Sequence, residues 1–437
     1  MDLLTGKIRS IYLKYLVAAS GSAMVASIFG MVDAMAVGKY HGPAGNAALA
    51  VFTPFWSLVY SLGLLAGIGG SVLFANKRGS RDEKTAQEYF TLSVLYGGAL
   101  SVAAMILIGL FHEPLFRFFG ADDALLALAN RYLGPIFYAI PCCVFSNILS
   151  AYLRNDGNPD LATKAVIFGG VFNVFGDYFF VFVLDMGILG AGLATTMGLY
   201  ASTLLMLLHF VSKKNTLRFV WPRGVFQKLG SISLVGFSTA ISDLAMGIIG
   251  ILFNRQIMKH LGTDALAVYG ILAQITPFAQ CLSYGAGQAA QHIISQNLGA
   301  GQTGRIQESL RYGLYTCVGF GLFWAGVLLL FPNFFVYFFM TPTAGVLQIA
   351  PNILRAYGIS YLLLPFNIFA TYYFQAMMKA NISMIASVAR GAVVSGILIL
   401  LMPLIAGPDS IWYAMLITEI VVAVYSAYHM VRCNRAL

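Results

Sequence analysis

Charged residues are scarce in this 437-residue chain: Asp, Glu, Lys and Arg together make up 10% of it, against about 25% in soluble domains. So few charges cannot solvate a chain that is 59% hydrophobic, which excludes a water-soluble globule and predicts a polytopic membrane protein. Histidines number six and cysteines five, with no HExxH or paired-cysteine spacing, so no zinc chemistry is expected. The adjacent Cys142 and Cys143 are poorly placed to bridge each other, and the cysteines read as small apolar packing residues. No Walker-type phosphate loop is present, which excludes ATP as the driving force, and no Ser/His or Ser/Lys pairing suggests a protease. The chain is therefore expected to be neither an enzyme nor dependent on a cofactor. Proline is absent between Asp2 and Tyr40, so a proline-centred bend is not expected in the first span; Gly21 between Ser20 and Ser22 offers a different point of bending. The short basic start runs straight into that span without a small-residue cleavage site, so the span is expected to stay.

What the chain has instead is apolar runs of about 20 residues, the length that crosses a bilayer. Twelve are predicted, near 11–38, 46–75, 89–111, 125–150, 165–184, 190–212, 230–258, 265–295, 312–331, 352–376, 391–406 and 411–430. An even number puts both termini on one side. Of the 26 Lys and Arg, 20 fall on that side, Arg390 among them as a loop residue, and 6 on the other. The positive-inside rule then predicts cytoplasmic termini in a multi-pass cell-membrane protein. The net charge of +9 follows from topology and excludes nucleic acid as the reason for it.

Residues 213–228 hold Lys213, Lys214, Arg218, Arg223 and Lys228 and no acid. They divide the chain into an N-lobe at 1–212 (spans 1–6), a basic cytoplasmic linker at 213–228, and a C-lobe at 229–437 (spans 7–12). The lobes share sequence: Ala48-Leu49-Ala50-Val51 returns as Ala265-Leu266-Ala267-Val268, and Gly67-Ile68-Gly69 is answered by Gly285-Ala286-Gly287. Six spans each give the copies one orientation. The expected fold class is thus all-α, twelve transmembrane helices in two six-helix parallel repeats, with a substrate cavity opened alternately to either side. Gly285, Gly287 and Ala290 also spell a GxGxxA fingerprint, but without a preceding strand they read as helix-packing positions.

Polar residues inside the apolar runs are the candidates for function, since an ionised carboxylate at mid-membrane costs roughly 2.5–3.5 kcal/mol on insertion scales. Asp177 and Asn173 in span 5 stand one turn apart on one face, and Gly169 a turn earlier is expected to clear a cavity there. Asp33 ends span 1; it is read either as a coupling acid or as a helix-end residue solvated near Lys39 and His41. Asp243 in span 7 and Glu419 in span 12 are candidates for substrate contact or protonation, and His292 in span 8 for substrate contact or a buried packing role. Thr195 in span 6 is undecided from its own residues, because membrane threonines often bond their own backbone.

The chain resembles the multidrug and toxic compound extrusion (MATE) family over nearly its whole length. The resemblance rests on Val32-Asp33, Val37-Gly38, Ala47-Ala48-Leu49-Ala50, Leu153-Arg154-Asn155-Asp156-Gly157-Asn158-Pro159, the Asn173–Asp177 pair, Gly190-Ala191-Gly192 and Asn297-Leu298-Gly299-Ala300-Gly301. It implies an antiporter that exports cationic amphipathic compounds, driven by inward H⁺ or Na⁺ and working as a monomer. It also implies a cation-coupling site at Asp33, Asn173, Asp177 and Thr195, where any Na⁺ would sit. Departures are the missing proline of span 1 and the lack of an acid in span 10, so a complete second ion site is not expected. The alternative within the same superfamily is a flippase or exporter of a lipid-linked or other amphipathic metabolite, for which a more cationic cavity is expected.

Overall fold

The computed structural model describes residues 3–119, 121–339 and 342–435. Twelve helices among them are long and apolar enough to cross a membrane, and none of these residues forms a strand. They are α1 Ile8–Gly42, α2 Ala44–Gly79, α3 Glu83–Phe118, α4 Asp123–Asn155, α5 Pro159–Val183, α6 Ile188–Val211, α7 Val225–His260, α8 Thr263–Gly299, α9 Thr303–Leu330, α10 Ala344–Ala376, α11 Ala380–Ile405 and α12 Pro408–Arg435. Most extend past the predicted apolar cores, because their last turns carry polar residues that a hydropathy window discards. The expected connection between α1 and α2 shrinks to a break at Gly42, whose φ of 65° and ψ of −151° suit glycine alone.

Two features depart from the expectation. A short helix, Pro332–Phe339, follows α9; eight residues are too few to register as a span. More consequentially, α11 starts at Ala380, so Arg390 lies inside a membrane-spanning helix and not in a loop. The charge itself ended the apolar window, and its partner stands 29 residues further on. Removing Arg390 from the loop basics leaves their asymmetry intact.

The helices gather into two compact units, Met1–Thr5 with Gly21–Ala240, and Gly6–Ser20 with Ile241–Leu437. In the first, α6 packs on α4 and α5, and α3 packs on α4. The opening turns of α7 lie on α2 where Gly69 meets the Ile232 carbonyl and Gly236 the Leu65 carbonyl, leaving no room for a Cβ. In the second unit, α8 packs on α9 and α10. The opening turns of α1 lie on α8, Gly285 against Ser20, Tyr15 against His292 with rings 5.8 Å apart. The glycines repeated between the halves are thus seats for a neighbouring helix in each.

Residues 212–228 are bound closely to the first unit. Gln87 on α3 donates to the Thr216 carbonyl (2.9 Å) and accepts from Arg218 N (2.8 Å); Thr91 accepts from Val220 N (3.0 Å), and Lys228 pairs with Glu88. Asp156, its side chain fully buried, accepts from Arg78 Nη1 (2.7 Å), His209 Nε2 (2.7 Å), and Thr216 N (2.9 Å) and Oγ1. Asn158 Nδ2 donates to His209 Nδ1 (3.1 Å), which leaves the Nε2–H for Asp156. Burial alone would raise the Asp156 carboxyl, but the bonds from His209, Thr216 and Arg78 outweigh it and hold it below the ordinary carboxylate range.

Candidate cation-coupling site

Small residues decide which polar groups meet in the first unit. Along α1 and α5, Ser22 Oγ bonds Thr163 Oγ1 (3.2 Å), and two turns on the Phe29 ring fills the space a side chain at Gly170 would take. One turn beyond Phe29 stands Asp33; two turns beyond Gly170 stands Asp177. Positions 163, 170 and 177 follow at seven-residue intervals, so one face of α5 meets α1 throughout. The contact continues past the helix end, where His41 Nε2 accepts from Ile188 N (3.0 Å) and Tyr40 donates to Asp185 Oδ1 (2.5 Å).

Gly169 and Gly198 bring α5 and α6 into backbone contact. Gly169 therefore serves helix approach and does not open a cavity, as its position on the Asn173–Asp177 face had suggested. One turn along, Asn173 Nδ2 donates to Thr195 Oγ1 (3.3 Å). Gly192, one turn before Thr195, rests against the backbone of Tyr132 on α4. Tyr132 then reaches both sides of the site: its hydroxyl donates to Asp33 Oδ2 (2.7 Å) and also interacts with Thr195. Phe52 holds the ring edge-on at 4.9 Å.

The four residues expected to meet do meet: Asp33, Asn173, Asp177 and Thr195 converge from α1, α5 and α6, with the carboxyl groups of Asp33 and Asp177 within electrostatic reach of each other. Both acids are buried, Asp177 being 1% exposed. Asp33 Oδ1 and both Asp177 oxygens find no hydrogen-bond partner among the described residues. Two neighbouring carboxyl groups with three oxygens lacking a donor are chemically incomplete; a proton held between them, or a small cation, would supply what the described residues do not. Asp177 also opens a π-helical stretch, Asp177–Val183, a distortion frequent at functional sites. Tyr132 went unread in the sequence, where a tyrosine in an apolar helix carries no signal of its own.

Comparison with known proteins bears on the family and the fold. The MatE family model matches residues 19–179 and 237–401. The chain belongs to the MATE family. It is thus a membrane transporter and not an enzyme. Multidrug export protein MepA of Staphylococcus aureus is 22% identical over 400 residues, 91% of this chain and 87% of that protein. The Staphylococcus saprophyticus MepA is 24% identical over 278 residues, 63% of this chain but only 61% of the relative's length. A solved MOP superfamily transporter from Pyrococcus furiosus superposes with a TM-score of 0.91 at 21% identity, covering 99% of this chain and 97% of that one; the likeness is one of fold.

The other candidates of this MATE transporter lie in the second unit and are not gathered in the same way. Asp243 is half-buried on α7. His292 packs on Tyr15. Glu419, 1% exposed, is held by Arg390 Nε (2.8 Å) and Asn367 Nδ2 (2.6 Å), so its charge is already answered inside the unit. Among the described residues no group of His, Cys, Asp and Glu is arranged to hold a metal.

Proposed function

We propose that this MATE transporter exports cationic amphipathic compounds by alternating access, in exchange for a monovalent cation, H⁺ or Na⁺, taken up at Asp33, Asp177, Asn173 and Thr195. The observation that carries the reading is the buried pair of carboxyl groups with three oxygens lacking a donor. Burial and a neighbouring like charge both favour the neutral form of a carboxylic acid, so the pair takes up a cation readily and gives one up when an organic cation arrives. Because each ligand weakens the other by the same factor, a gradient of either drives the other uphill. Tyr132 orients Asp33 through its hydroxyl, and Asn173 and Thr195 supply neutral oxygens beside the acids. The MepA relatives carry multidrug export in their names, which supports the same cargo class here.

Both termini and the linker are assigned to the cytoplasm on the strength of the basic excess in their loops; a single cysteine at Ser212 that labels from outside intact cells would reverse that orientation. The flippase alternative calls for a cationic cavity, and Arg390, a basic group inside a span, is paired with Glu419. The decisive assay is uptake of a fluorescent organic cation into proteoliposomes, with proton and sodium gradients imposed separately. Wild-type protein concentrates dye under one of the two gradients, whereas Asp33→Asn and Asp177→Asn retain only downhill exchange. Full gradient-driven transport by both variants would defeat the assignment.

A further inference from the structure

The second unit contains a carboxylate as deeply buried as Asp177, yet its surroundings are of another kind. Glu419 on α12 is 1% exposed. Its Oε1 accepts from Arg390 Nε at 2.8 Å, its Oε2 from Asn367 Nδ2 at 2.6 Å, and the same Nδ2 also donates to the Glu419 carbonyl at 2.8 Å. Because both partners of that amide nitrogen are acceptors, the Asn367 side chain has one allowed orientation. Its Oδ1 then points into the interior, buried and without a hydrogen-bond partner among the described residues. Two carboxylate oxygens, a main-chain carbonyl and an orphaned amide oxygen are the ligand types that hold an alkali cation or a proton. Here a guanidinium already occupies one of the carboxylate oxygens, Glu419 Oε1.

Arg390 reaches this position because α11 widens into a π-turn at Ala389–Val393. The N-terminal unit has its π-turn in the corresponding fifth helix, and that one begins at Asp177. The same local distortion thus presents an acid in one lobe and a base in the other. The hydroxyls of Tyr284 on α8 and Tyr357 on α10 are both within electrostatic reach of Arg390. Asp243 on α7 also lies within electrostatic reach of Tyr284. In the first unit no basic side chain among the described residues pairs with Asp33 or Asp177, and three of their oxygens lack a hydrogen-bond partner there.

We propose that Arg390 is a tethered counter-cation: it fills permanently, at Glu419 and Asn367, the place a coupling ion would take, so the second lobe exchanges no ion during transport. The proposal rests on the reading of the first lobe as the coupling site, and it has a consequence that reading lacks. Deleting the guanidinium while keeping the carboxylate turns the Glu419 site into a second exchangeable cation site.

The test is the cation-to-substrate ratio, measured in proteoliposomes as the imposed H⁺ or Na⁺ gradient at which net flux of a fluorescent organic cation reverses. Glu419→Gln is expected to keep the wild-type ratio; a lower ratio would overturn the proposal, because Glu419 would then carry a coupling ion. Arg390→Gln is expected to gain a further cation per substrate exported, and Arg390→Lys and the double variant Arg390→Gln/Glu419→Gln to return to the wild-type ratio. An unchanged ratio in folded Arg390→Gln would equally overturn it. Should Arg390→Gln fail to fold, the Glu419→Gln and double-variant ratios still decide. The first-lobe reading is judged apart from these, by loss of gradient coupling in Asp177→Asn.

Discussion

Tyr132 shows how much a single hydroxyl can set at this site. It is the donor that satisfies Asp33 Oδ2, while the neighbouring oxygens are left for a cation. A hydrogen bond to an ionised carboxylate contributes about 1.5–3 kcal/mol, or roughly 10- to 100-fold in an equilibrium. Tyr132→Phe removes that support from the ionised site, the form that receives an organic cation. Substrate affinity at fixed pH and Na⁺ is therefore predicted to fall within that range, with the folded fraction preserved because Phe52 still packs the ring. Direct titration of substrate binding checks this, and an unaltered affinity would deny Tyr132 its part. Asp33, Asn173 and Asp177 were readable because an acid or amide in an apolar run has a known cost. Tyr132 and Asn367 were not, since their significance comes from partners on other helices.

At the scale of elements, the span count was legible because lipid imposes a length, and local irregularity was not. The π-turns at Asp177–Val183 and Ala389–Val393 leave no mark in apolar periodicity, and Arg390 was misplaced because one charge interrupts a window that its distant partner restores. Gly169 was legible as a small residue but not in its purpose, which depends on Gly198 across the interface. The linker is similar: its basic composition suggested a tether, whereas Asp156 and His209 clasp it to the ends of α2 and α6. Both side chains are fully buried, and a hydrogen bond to a charged group is worth about 1.5–3 kcal/mol. His209→Ala is predicted to lower thermal stability in detergent accordingly. Asp156 sits below the ordinary carboxylate range, so its contribution is complete above the ordinary value and is lost as pH falls through the depressed one. The stability gap between wild type and Asp156→Asn should therefore close on acidification below about pH 4; a gap that widens there would contradict the clasp.

For the molecule as a whole, the two units follow one plan with different chemistry at its centre. Each seats a stretch of helix on repeated glycines, and each widens its fifth span beside a buried charge. One unit sets acid beside acid with no basic partner among the described residues; the other pairs an acid with a base, Glu419 with Arg390. That asymmetry was invisible while Arg390 was assigned to a loop, although the repeats themselves could be read from matching glycines. On the function proposed above it divides the labour of transport, with exchangeable charge confined to the Asp33–Asp177 pair. The most direct measurement is cation release on substrate binding, followed in weakly buffered detergent solution with a pH indicator and a sodium electrode. An organic cation is predicted to displace H⁺ or Na⁺ from wild-type protein in proportion to occupancy, and to displace none from the Asp33→Asn/Asp177→Asn variant. Equal release from both proteins would contradict it.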